Sequence, residues 1–316
     1  MLITMEHKTI TQHTALEYKR RVCLAMNYIS QNLDRELSLE EIAQQASFSM
    51  FHFHRIFKAV VGETIAEFTR RVRLEVAANH LRSKPNDSIT TIALQYAFSS
   101  SQNFSKAFRQ HFKVSPSEYR KYKRKIGNTP SNPENVLSLK ATYAIPPSPS
   151  DLPTTNRRSE VNAEIKTLPE YRVAYVRKIG PYGQTTCEAA FNELMQWAAP
   201  KGLLSTGIVL GVYWDNPEVT PPEKCRVDAC ITLPPEMKLE GPVATQTIQG
   251  GNFAVCHFEM SGNNFEQAWD EAFAWLVENG YECGDQPCYE RYYNNASEHP
   301  EGKWIFDVCI PLLTKS

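Results

Sequence analysis

The 316-residue sequence predicts a multidomain protein: an all-α domain holding two helix-turn-helix units, followed by an α+β domain of two β-α-β-β repeats. Three observations carry that reading. The first is an internal repeat. The segment SLEEIAQQASFSMFHFHRIFKAVVGETIAEF (38–68) returns as SITTIALQYAFSSSQNFSKAFRQHFKVSPSEY (88–119). Ile42-Ala43 recurs as Ile92-Ala93 and Phe48-Ser49 as Phe98-Ser99. After one inserted residue Phe53 matches Phe104, Phe57 matches Phe108 and Phe68 matches Tyr119. Matched apolar positions over such a period mean one small helical unit used twice. The second observation is charge. Residues 1–126 hold 20 Lys and Arg against 11 Asp and Glu, and the remainder holds 14 against 24, so a net charge of −1 hides a basic half and an acidic half. Such asymmetry points to a nucleic-acid-binding half joined to something else. The third is a segment, 128–158, with six prolines among Ser, Asn and Thr, which reads as a semi-extended linker.

Residues 1–16 form a poorly patterned leader, and Val22, Leu24, Ala25, Ile29 and Leu33 give a first helix over 17–32. Ser38 caps a short helix, with Glu41 three residues on to complete a capping box. Ser49 caps the next helix, which runs to Val61 before Gly62. Thr64 opens a long helix through Arg82, again with Glu67 three residues after the cap. Pro85-Asn86-Asp87 breaks the chain, Ser88 starts the second copy, and Pro116 begins a helix that ends in the basic string KYKRKIG. The domain so defined spans 17–127.

Beyond the linker, from 159 to 316, the pattern changes to short strands and two longer helices. EIKTLPEYRVAYVRKIG (164–180) reads as a strand pair or bent strand, 184–199 as an amphipathic helix, and 206–214 and 225–233 as strands. A second, fainter repeat follows: 243–260 matches the opening strands, 265–280 the helix, and Tyr292-Tyr293-Asn294-Asn295 matches Tyr213-Trp214-Asp215-Asn216. Two such units would pair into one sheet about a pseudo-twofold axis, with helices on one face and a groove on the other.

In a helix-turn-helix the second helix enters the major groove and the first braces it. On the helix from Met50, Phe53, Ile56, Phe57 and Val60 share a face and read as the core stripe. The opposite face presents Phe51, His54, Arg55 and Lys58, with Ser49 at its start. Arg55 is the best base reader, because its fork matches guanine O6 and N7. The second copy presents Ser101, Gln102, Ser105, Lys106 and Arg109, while Phe104, Ala107 and Phe108 face inward. The connecting helix of some 19 residues spans roughly 28 Å, close to the ~34 Å between successive major-groove faces. One chain could therefore bind an asymmetric site on double-stranded DNA as a monomer.

Other classes find less support. The eight cysteines form no CxxC pair, no signal peptide is evident, and no apolar run of about 18 residues occurs. A reduced, cytoplasmic, nucleoid-associated protein with no membrane partner is expected. His52 and His54 are two apart on a helix and point away from each other, so they make a poor metal site; no metal and no cofactor is expected.

Over 17–123 the chain resembles the AraC/XylS transcriptional regulators. The matching marks are SLEEIAQQASFS, HFHRIFK, RRVRLEVAANHLR and the closing FSSSQNFSKAFRQHFKVSPSEYR. The resemblance implies DNA contact by the residues at Phe51, His54 and Arg55. Relatives often carry Trp and Gln where this chain has Phe51 and His54, which bears on which bases are read.

Over 160–314 the chain resembles the gyrase-inhibitor-like small-molecule-binding domains, through the duplicated strand-helix pattern, the KIGPYG turn, PCYERYYN and WIFDVCIPL. That resemblance implies a groove lined by aromatics with one glutamate inside, here Glu290. A carboxylate among Tyr213, Trp214, Tyr289, Tyr292 and Trp304 could draw in an amphipathic cation by charge and ring quadrupole together. The same aromatics could instead fill a core, and Glu290 could pair with an arginine. Phe191, Trp197, Phe265, Trp269, Phe273 and Trp275 read as helix core.

The leading expectation is a DNA-binding transcription regulator, not an enzyme, whose C-terminal domain senses a small-molecule effector. The alternatives are a hydrolase-like domain using Glu290 with Tyr213 or Tyr292, and an interaction module for a protein such as RNA polymerase.

Overall fold

The computed structural model describes residues 2–47, 50–126, 161–217, 219–237, 243–262, 264–284 and 286–313. The chain divides into two compact units, Met1–Leu152 and Pro153–Ser316.

Among the described residues the first unit is all helical: α1 (Leu2–Gln31), α2 (Leu39–Gln45), α3 (Met50–Val61), α4 (Ile65–Ser83), α5 (Ile89–Gln95), α6 (Ser101–Phe112) and α7 (Pro116–Ile126). The first helix begins well before the residue where an apolar stripe becomes visible. No glycine or proline interrupts 2–31, so backbone propensity carries the helix where periodicity is weak. Its buried Val22, Ala25, Met26 and Ile29 pack into the first unit's core.

The caps divide the expectations. Thr64 and Glu67 close a full capping box on α4: Glu67 N donates to Thr64 Oγ1 (3.2 Å) and Thr64 N to Glu67 Oε2 (2.8 Å). Ser38 caps α2 through the Glu41 N–H (3.1 Å), but the Glu41 carboxylate turns away to accept from Arg35 (2.5 Å) and Tyr28. The expected box is therefore only half built, because a guanidinium outcompetes a backbone amide for that carboxylate. Ser49 lies outside the described residues. On α3 the stripe also needs correction: Phe53, Phe57 and Val61 are buried, Ile56 is half-buried, and Val60 is exposed. A step of four along the helix keeps these three in line and leaves Val60 off to one side.

Each helix-turn-helix turns on a non-glycine residue in the left-handed region, Ser47 (φ 53°) and its repeat counterpart Ala97 (φ 56°). The Ala97 and Phe98 N–H groups donate back to Leu94 O and Ala93 O, holding the strained turn. Between the two copies, Arg71 on α4 is buried against Glu63 (2.7 Å) and Glu75 (2.9 Å), and Glu75 lies 3.9 Å from His111 of α6. The end of α3, the connector and α6 thus share one buried charge cluster.

The second unit contains β1 (Asn162–Leu168), β2 (Tyr171–Ile179), α8 (Gln184–Ala198), β3 (Val209–Tyr213), β4 (Arg226–Thr232), β5 (Ala244–Ile248), β6 (Gly251–Ser261), α9 (Phe265–Glu278), β7 (Cys288–Tyr292) and β8 (Lys303–Pro311). All eight strands form one antiparallel sheet in the order β1-β6-β8-β7-β3-β4-β2-β5. The first two strands do not pair with each other. β1 lies beside β6 of the second repeat, and β5 beside β2 of the first. The link Pro169-Glu170 lacks the positive-φ residues that a two-residue hairpin needs, so the chain crosses over instead. The matching link is packed against it: a Cβ on Gly250 would stand 2.6 Å from Leu168 O and 2.8 Å from Glu170 N.

The order is symmetric about its centre, where β3 meets β7. Tyr213 corresponds to Tyr292 in the repeat, so Gly211 corresponds to Glu290, and the register sets those two residues opposite each other. The pseudo-twofold axis passes through that pair. Away from it the copies echo one another: Arg177 pairs with Asp228 (2.6 Å) on β2 and β4, and His257 with Asp307 (2.8 Å) on β6 and β8. Both helices cover one face. α8 packs on Ala174, Val176, Ala229 and Ile231, and α9 on Ala254, Cys256, Val308 and Ile310. The other face is not the open groove expected. Tyr175, Asp228, Cys230, Tyr289 and Cys309 on it are fully buried, so side chains close it over. Among the described residues no helix is long and apolar enough to cross a membrane.

Candidate DNA-reading face and buried carboxylate site

In the first unit, packing decides which side chains remain for a partner. With Phe53 and Phe57 at 0% exposure, α3 turns His54, Arg55 and Lys58 outward. The side chain of Phe51 lies outside the description. On α6 the buried Phe104, Ala107 and Phe108 leave Gln102, Lys106 and Arg109 exposed and Ser101 and Ser105 half-exposed. Arg109 stands 3.9 Å from Glu118, a separation and exposure at which the pair holds it only loosely. One residue of each helix opens on a shared cleft. A cleft of about 620 Å³ between the copies is lined by His54 of α3 and Asn103 of α6, with Arg70 and Arg73 of α4 between them. Asn103 and Arg70 were not singled out in the sequence: Asn103 is a polar residue flanking the α6 core stripe, and Arg70 lies on the connector, outside both copies.

In the second unit the register brings Glu290 onto the helix-covered face, where it is fully buried. Its carboxylate accepts three hydrogen bonds: from Tyr213 Oη (2.7 Å), Trp269 Nε1 (2.7 Å) and Tyr292 Oη. All three donors are neutral. Burial raises the Glu290 carboxyl above the usual range, and the three donors only partly offset this. Burial likewise holds the Tyr213 and Tyr292 phenols well above theirs.

Space for that carboxylate comes from its symmetry mate. A Cβ on Gly211 would come within 3.3 Å of the Phe191 ring, 3.4 Å of Glu290 Oε2 and 3.5 Å of Tyr213 Oη. Aromatic rings enclose the rest. Tyr213 meets Trp269 edge-on (5.3 Å between centroids), Phe191 meets Tyr292 (5.4 Å), and Trp304 packs between Tyr292 (5.7 Å) and Phe265 (5.9 Å). The Cys187 thiol lies against Tyr213, and burial pushes its titration up, which keeps it protonated.

Of the six residues nominated for a ligand site, Glu290, Tyr213, Tyr292 and Trp304 gather here. Trp214 and Tyr289 lie on the opposite face: Trp214 donates to Asp228 (2.7 Å) under the Arg177 guanidinium, and Tyr289 packs on Phe253. Strand alternation sends them there. Trp269 and Phe191, read from sequence as core, pack against the cores under their helices and also reach the axis. They follow the buried Ala268 and Ala190 at equivalent places in α9 and α8, a match that aligning the two helices would have revealed.

Residues 42–122 match a helix-turn-helix domain family, and residues 162–313 a family described as a GyrI-like small molecule binding domain. The DNA gyrase inhibitor of Escherichia coli (strain K12) is 34% identical over 160 residues, 49% of this chain and 99% of the relative. A transcriptional regulator from Chromobacterium violaceum (AraC-type DNA-binding domain-containing proteins) is 29% identical, over 33% of this chain and 91% of that one, with a TM-score of 0.31. The EcmrR–DNA complex in EcmrR-RPo spans 85% of this chain and 84% of its own at 16% identity, with a TM-score of 0.42.

Proposed function

We propose how a chain that belongs to the GyrI-like small-molecule-binding family, and carries an AraC-type helix-turn-helix DNA-binding domain ahead of it, works as a transcription regulator with an effector-binding domain. The two readers α3 and α6 enter successive major-groove segments of one duplex, so a single chain covers an asymmetric operator. Arg55 reads a guanine; Gln102, Lys106 and Arg109 read or anchor the second segment, with Ser101 and Ser105 beside them. His54 and Asn103 opening on one cleft support this, since both readers then address the same side of the DNA.

The effector is an amphipathic organic cation received at Glu290. One observation carries this reading: the carboxylate is fully buried and its partners are neutral donors. A buried carboxylate without a counter-charge is costly, and an aromatic-walled cation supplies what is missing by charge and by ring faces. Tyr213, Tyr292 and Trp269 hold the group in place until the cation replaces part of that shell. The test is a titration of intrinsic tryptophan fluorescence with benzyltrimethylammonium, since Trp269 touches the carboxylate. Glu290→Gln should weaken binding at least tenfold. Equal affinity in the two proteins would remove the carboxylate from the reading.

A further inference from the structure

Two thiols converge at the connection from α9 to β7. Cys283 sits opposite Leu312 in an isolated antiparallel bridge. Gly284 N donates to Pro311 O and Leu313 N to Glu282 O, so this short segment continues the edge of β8 that β7 occupies. On the same edge Tyr289 lies opposite Cys309, which places Cys288 next to Ile310. Ile310 and Leu312 belong to one face of β8, and Cys288 and Leu312 pack on the same α9 core. The two cysteines therefore stand on one face, two residues apart along β8, which is roughly 6.8 Å. That is the upper end of the Cα separation a disulfide spans. The Cys283 thiol is the neighbour that acts most strongly on Cys288, and its Sγ also meets Gly284 O (3.5 Å). Both are reduced thiols, Cys283 exposed and Cys288 half-buried.

We propose that Cys283 and Cys288 are a reversible disulfide-forming pair that, when oxidised by a small disulfide such as oxidised glutathione, closes the α9–β7 connection into a short loop fastened to the start of β7. Cys283, the accessible thiol, gives up its proton and attacks one sulfur of the small disulfide. The S–S bond of the reagent breaks and one glutathione leaves as a thiolate, which takes up a proton. Cys288, deprotonated in turn, attacks the Cys283 sulfur; the Cys283–Cys288 bond forms and the mixed disulfide breaks, releasing the second glutathione. Two electrons pass from the protein thiols to the reagent, and both protons end on the two glutathiones. The neighbouring Cys283 thiol and then burial hold Cys288 protonated, so the second exchange is the slow one. Its effect falls on two elements at once: α9 carries Trp269 and β7 carries Glu290.

Full-length protein incubated with oxidised glutathione should lose two hydrogens in mass, and peptide mapping after alkylation should show Cys283 and Cys288 protected together. Hydrogen exchange of backbone amides over 279–288 should slow about tenfold or more in the oxidised protein, as a short closed loop requires. Cys283→Ser, at an exposed position, and Cys288→Ser should each abolish both changes. A stable glutathione adduct on Cys283 without loss of two hydrogens would overturn the pairing. A disulfide that forms but leaves exchange over 279–288 unchanged would overturn the tethering.

Discussion

The chain duplicates twice, and the two duplications treat chemistry in opposite ways. In the helical unit the copies follow one another along α4, and each keeps an exposed polar face of its own: His54, Arg55 and Lys58 on one, Gln102, Lys106 and Arg109 on the other. In the sheet unit the copies meet head-on at an axis, so equivalent positions become neighbours. There one copy supplies Glu290 and the other only Gly211. A duplication by translation lets both copies diverge freely. A duplication by rotation forces asymmetry on the axis, because two buried carboxylates facing each other could not both ionise.

The sharpest way to break this comparison is Gly211→Glu, which restores symmetry at the axis. It should destabilise the second unit by about 3–5 kcal/mol, the scale of an uncompensated buried charge, read as loss of its cooperative denaturant transition. The exchanged pair Gly211→Glu with Glu290→Gly should recover part of that loss. It should fall short by about 1.5–3 kcal/mol, because Phe191 stands where Trp269 would donate to the charge. An exchanged pair no better than Gly211→Glu alone would show that the axis does not relate the two positions.

On the helical side, Arg55→Ala should cost about 1–3 kcal/mol of specific DNA affinity and relax preference at one base pair. Gel-shift competition across base-substituted operators checks this, and unaltered preference would move the first reader elsewhere. Glu290→Gln should change how stability depends on pH. The folded-state carboxyl of Glu290 is raised above its ordinary value of 4.5. Its contribution is therefore complete below the unfolded value and is lost as pH rises through the folded one. The melting temperature of the variant relative to the parent should climb by a few degrees across that window, and a flat difference would show the group to be unperturbed. The smallest effect belongs to the turns. Ala97→Gly should stabilise the helical unit by about 1 kcal/mol, because glycine relieves the left-handed φ at that position.

Much of the fold was legible because it rests on local chemistry. The Thr64–Glu67 box, the Phe104/Phe108 stripe and both duplications are written in spacing. The exchange of β1 and β5 between repeats was not, since strand alternation reads the same whichever neighbour a strand finds. At the candidate site Glu290, Tyr213 and Tyr292 could be found by position in the repeat. Trp214 and Tyr289 were misplaced because a single step along a strand reverses the face. Trp269 was missed because an aromatic on an amphipathic helix gives no sign that its N–H, not its ring, meets the partner.

The exchanged edge strands carry one more consequence. Neither sheet repeat contains all the strands of its own half: β1 completes the second and β5 the first. Cutting the chain between β4 and β5 would therefore yield two fragments that each hold a strand the other requires. Such fragments are expected to fold by complementation, mixed together, and each alone would expose a bare strand edge open to pairing with a second copy of itself. The repeat that looks like a module in the sequence is, in the folded chain, only half of an indivisible pair.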